Sequence, residues 1–118
     1  MVASTDVFVD TDKHIALLKG SRGQLPCRVT RQVDSITWSK GQTFVSARLL
    51  LVYQFYESKW SKIGSGYTDG LYDIETNFSL VINNVEIQDE GFFFCEILDR
   101  ETGRSFVNQT ELDVFGEK

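Results

Sequence analysis

The chain has 118 residues, 42% hydrophobic and 25% charged, with a formal net charge of −5; that is enough for one domain with one core, in the composition of an ordinary folded protein. The acidic balance offers no basic stripe to displace counterions, which argues against nucleic acid as a partner. No apolar run approaches the roughly 18 residues that span a bilayer.

Met1 followed by Val2 to Thr5 reads as an initiation residue ahead of a mature domain. Residues 1–118 are expected to form one domain, with 1–5 a terminal segment and any targeting or anchoring sequence outside it. From there the hydrophobic period is two. Gln24 to Val29 places Leu25, Cys27 and Val29 on one face, and Ser35 to Ser39 places Ile36 and Trp38. Phe78 to Ile82 turns Phe78, Leu80 and Ile82 inward. Phe93, Cys95 and Ile97 share a face of the next segment, and Leu112 and Val114 finish the series. Turn chemistry punctuates these runs at Lys19 to Gly23, Lys40 to Gln42, Ile63 to Gly66, Asn83-Asn84 and Thr102-Gly103. No sustained helical period occurs. Many short strands at such spacing make an all-β sandwich or barrel.

Candidate chemistry is sparse. Cys27 and Cys95 lack the company a metal site needs, His14 being far from both in sequence. They form either one long-range disulfide or two buried thiols. One His, and no elbow motif around any Ser, leaves no nucleophile–base set. Asp10 and Asp12 are solvated strand-end charges rather than an acid–base pair. Gly64-Ser65-Gly66 lacks the Lys-Ser/Thr of a phosphate loop. No catalytic residue, cofactor or metal is therefore expected. Two sequons, at Asn77 and Asn108, are candidate glycosylation sites in a secreted context.

Cys27, Trp38 and then Asp89-Glu90-Gly91-Phe92-Phe93-Phe94-Cys95 resemble the Cys…Trp…Asp-x-Gly-x-Tyr-x-Cys pattern of immunoglobulin domains. The gap of 68 residues between the cysteines suits the variable type, or V-set, with its two extra strands. Asn77 to Ile82 looks like strand E, Leu50 to Tyr53 like strand C′, and Phe106 to Val114 like the joining-region strand G. The resemblance implies two antiparallel sheets with Greek-key connections. It also implies a Cys27–Cys95 bridge across the core, with Trp38, Phe93, Leu80 and Ile82 around it, and an oxidising, extracellular compartment. Four departures stand out. Phe93 replaces the corner tyrosine, and Gly70-Leu71 occupies the place of the arginine that pairs with Asp89. Asp89 is then expected to cap its local turn or to meet a lysine. Pro26 interrupts strand B, and Phe106-Val107-Asn108-Gln109 replaces Phe-Gly-x-Gly, which counts against a rearranging receptor chain.

Function is expected on the outer face of the sheet built from strands G, F, C and C′. Alternation turns Phe94 and Glu96 outward, and the resemblance adds Ser39, Leu50, Tyr53 and Phe106. Together they would form an apolar patch of the kind that marks interaction sites, unless the segment holding Phe55, Tyr56 and Trp60 folds over it. The F–G connection, with Asp99, Arg100, Glu101 and Arg104, offers a compact polar rim. The short Thr30 to Asp34 connection indicates no deep pocket. The resemblance implies an extracellular recognition or adhesion domain of an immune-type receptor or ligand. Its partner would be a protein, a second copy or another V domain, and membrane attachment would come only through a segment outside this chain. The alternatives are a secreted glycan- or pathogen-binding protein, similar to the variable-region chitin-binding proteins, and a non-rearranging antigen-receptor-like chain.

Overall fold

The computed structural model describes residues 9–30 and 33–116; Met1 to Thr5 and residues 31–32 of the Thr30 to Asp34 connection lie outside them. Among the described residues eleven strands follow in chain order: β1 (Val9–Asp10), β2 (His14–Leu18), β3 (Gly23–Leu25), β4 (Arg28–Val29), β5 (Ser35–Gly41), β6 (Arg48–Tyr56), β7 (Lys59–Ile63), β8 (Tyr72–Ile74), β9 (Leu80–Ile82), β10 (Gly91–Asp99) and β11 (Arg104–Phe115). One helical turn, α1 (Ser65–Thr68), links β7 to β8, and a 3-10 turn at Ile87–Asp89 precedes β10. The larger sheet runs β2-β11-β10-β5-β6-β7, faced by β3-β9-β8 and a short β1-β4 ribbon. All neighbours are antiparallel except β2 and β11, which are parallel.

The period-two residues meet between the sheets. Trp38, Phe93, Leu80 and Ile82 are buried around the Cys27–Cys95 disulfide, and the Trp38 indole N–H donates to the Phe78 carbonyl at 3.0 Å. Pro26 has no N–H, so the ladder breaks there. β3 ahead of it pairs with β9, whereas β4 behind it pairs with β1. The first strand divides in the same way. β1 lies on β4, then the chain crosses at Thr11 to Lys13 and continues as β2 beside β11. Thr11 donates to the Gln109 carbonyl at 2.9 Å in that crossing.

Two local conformations depart from the sequence reading. Phe78 does not continue a strand: its φ is 72°, and it packs against the core from a turn. The β6–β7 hairpin turns on Glu57 and Ser58, both at positive φ, the conformation for which Asn-Gly is the usual signal. Gly66, by contrast, is required by space. A Cβ there would lie 2.6 Å from the Leu50 carbonyl oxygen.

Candidate partner-binding face

β10 and β5 supply alternate residues to the two sides of the larger sheet. Ile36, Trp38, Phe93, Cys95 and Ile97 enter the core, so Thr37, Ser39, Phe92, Phe94, Glu96 and Leu98 face outward. Register then aligns that outer face in rows. Gly41, Phe92, Glu111 and His14 form the lowest. Above it stand Leu49, Ser39, Phe94 and Gln109, and next Ile63, Val52, Thr37, Glu96 and Val107. Ser61, Gln54, Ser35, Leu98 and Ser105 complete the set.

This assignment corrects three of the expected face residues. Between Trp38 and Ser39 the pairing slips, so that Trp38 opposes Leu51 while Ser39 opposes Leu49. The extra residue is Leu50, which turns into the core and is 2% exposed. Beyond that bulge the parity of β6 is inverted relative to a regular strand. Tyr53 therefore also points inward, opposite Ile36 and stacked on Trp60 with centroids 4.6 Å apart. Phe106 opposes Ile97 and packs against the core, and Val107 takes the outward place. Leu49, 47% exposed, Val52, Ile63, Val107 and the covering Phe44 are residues of the face that the sequence reading missed. For Val107 the signal was available, because alternation counted back from Leu112 and Val114 puts Phe106 inside.

Phe94 does face outward with Ser39 and Glu96, but it is only 3% exposed. Phe44, from the β5–β6 loop, folds onto it edge to face at 5.9 Å, and Val45 at the loop tip is 95% exposed. The covering group is thus Phe44 and not the β6–β7 hairpin. Trp60 packs on Phe55, Tyr53 and Phe78 on the inner side, leaving Tyr56 at the exposed tip. Leu49, Val52 and Ile63 form an aliphatic flank on one side of the face, Val107 and Leu98 another, with short hydroxyl residues Ser39 and Thr37 between them.

The other expected sites are placed as follows. Asp99 is buried rather than at a rim: its carboxylate accepts from Thr102 Oγ1 at 2.9 Å and from the Glu101 N–H at 3.3 Å, closing the loop. Arg100, Glu101 and Arg104 stay exposed. Asn77 is exposed, and its Oδ1 accepts from the Ser79 N–H at 3.1 Å, an arrangement that leaves Nδ2 toward solvent. The Asn108 Nδ2 instead donates to the Val9 carbonyl at 2.6 Å from a half-buried position, so this second sequon is tied to β1 and does not present its amide to solvent. Asp10 and Asp12 both pair with Arg28, at 3.3 and 3.0 Å. Asp89 caps its turn, accepting from the Glu86 N–H at 2.7 Å.

The immunoglobulin V-set domain model matches residues 11–115. A human protein described as a probable non-functional T cell receptor gamma variable is 30% identical over 92 residues, 75% of this chain and 78% of that protein. Among solved structures, the two tandem V-type regions of VCBP3, a v-region-containing chitin binding protein, superpose with a TM-score of 0.77 at 22% identity; 96% of this chain is covered but 47% of that one. A chicken T-cell receptor structure gives 0.71 at 17% identity, over 93% of this chain and 50% of that one. The chain thus spans about half the length of these two solved neighbours.

Proposed function

Because the chain belongs to the immunoglobulin V-set family, we propose that residues 1–118 are one extracellular recognition domain of an immune-type cell-surface receptor or ligand, and that it binds a protein partner through the outer face of β11, β10, β5 and β6. V-set domains are typically extracellular recognition modules rather than enzymes, and among the described residues no helix is long and apolar enough to cross a membrane. The observation that carries the reading is the aliphatic flank of Leu49, Val52 and Ile63 beside the Phe44–Phe94 pair. The core does not use this surface, and contiguous exposed apolar groups on a folded domain mark contact sites. Similarity to a T cell receptor gamma variable segment favours a specific form of this reading, in which the partner is another V domain. Asn77 is the sequon we assign to a glycan.

The test is a screen of the domain against an array of cell-surface ectodomains, repeated with Leu49→Glu and Val107→Glu. Both changes are expected to weaken binding by at least about tenfold, since a charge in an apolar contact costs over 1.4 kcal/mol. Gln24→Glu, exposed on the opposite sheet, should leave binding intact. Binding that survives both front-face changes would sink the reading.

A further inference from the structure

The four rows contain no lysine or arginine; the next outward pair, Tyr56 and Lys59 at the tip of the β6–β7 hairpin, carries one lysine. The ionisable side chains of the four rows are Glu96, Glu111 and His14, and His14 already meets Asp113 at 2.6 Å. Glu96 is half-buried near the middle of the face, on β10, one of the two central strands of the six-stranded order. Thr37 stands on one side of it and Val107 on the other. Among the described residues it has neither a hydrogen-bond nor an ion-pair partner. Any partner that covers the face takes this carboxylate out of water, and an unpaired buried charge is strongly unfavourable.

A second copy of the chain, paired about an axis near Glu96, brings no cation to that charge. Two identical faces pair about a two-fold axis, and residues near the axis meet their own counterparts. The two Glu96 carboxylates would then approach each other inside an aliphatic frame. Resting on the front-face reading above, we propose that the carboxylate keeps copies of this chain apart, and that the face accepts a different domain presenting a lysine or arginine to Glu96. Thr37 and Ser39 are short, so the floor between the aliphatic flanks is low enough for a long cationic side chain to reach down to the carboxylate. Leu49, Ile63 and Val107 form the surrounding apolar contact. Charge complementarity of this kind selects a partner and suppresses the wrong one.

The probe is a charge-reversed copy of the same domain. Sedimentation of the wild type alone and of Glu96→Lys alone is expected to show monomers, like charge facing like in each. Their equimolar mixture should form a one-to-one complex that weakens with salt and is abolished by Leu49→Glu in either member. Glu96→Gln, which removes the charge without reversing it and serves as the folding control, should bind the Glu96→Lys variant at least about tenfold more weakly than wild type does. A wild-type dimer that Leu49→Glu dissociates, or a mixture that stays monomeric, overturns the proposal while leaving the front-face reading to the ectodomain array. Conversely, array binding indifferent to both Leu49→Glu and Val107→Glu removes the front-face reading whatever the mixture does.

Discussion

Asp89 shows how a single residue can lose its usual partner and keep its place. The arginine that the immunoglobulin pattern would set against it is missing, and a cap on its own turn holds it instead. The Glu86 N–H closes a reciprocal cap, and Tyr72, in β8, lies close enough to feel the Asp89 charge. Burial first, and the Asp89 charge second, push the Tyr72 hydroxyl up to about 12. A folded-state value raised above the unfolded one, near 10, means stability that is complete below about pH 10 and lost as pH rises toward 12. We therefore expect Tyr72 to ionise well above pH 10 in an ultraviolet titration. Wild type should lose stability relative to Tyr72→Phe as both are taken from neutral pH to above pH 10. An equal gap in chemical denaturation at neutral and strongly alkaline pH would show that the hydroxyl does not titrate with folding.

β6 shows what one extra residue does to a whole strand. Leu49, Leu50 and Leu51 look equivalent in the sequence, yet the slip opposite Trp38 and Ser39 sends Leu50 and Leu51 inward and leaves Leu49 on the surface. Leu50→Ala should cost about 2–5 kcal/mol by opening a cavity, whereas Leu49→Ala should change stability by less than about 0.5 kcal/mol. Thermal denaturation of the pair measures the difference, and equal losses would refute the bulge. This element also marks how far the chain could be read without a structure. The core around Trp38, Phe93, Leu80 and Ile82 was legible because its period is unbroken and buried residues declare themselves by type. The face was legible only along β10, where Phe94 and Glu96 alternate with Cys95. It was lost along β6, because a bulge inverts parity without leaving a glycine or proline to announce it. On β11 the resemblance to a joining segment overrode an alternation that was correct. The cover over Phe94 had no local signal at all, since it depends on where the β5–β6 loop lands in three dimensions.

The whole molecule is held by one covalent tie and by a first strand that belongs to both sheets. Closing 68 residues between Cys27 and Cys95 is worth about 4 kcal/mol in the chain-entropy model. That is a large share of the roughly 5–15 kcal/mol by which domains are stable. Replacing both cysteines by alanine should lower the urea midpoint accordingly, and a variant as stable as wild type would show that the sandwich stands without its bridge. The parallel pairing of β2 with β11 carries a separate, mechanical consequence. His14 to Leu18 and Glu111 to Phe115 run in the same direction at the two ends of the folded chain. A pull on the termini therefore drags these strands past each other lengthwise, and their hydrogen bonds must rupture together rather than unzip one at a time. A domain joined this way resists tension applied along its length better than its modest number of terminal bonds suggests.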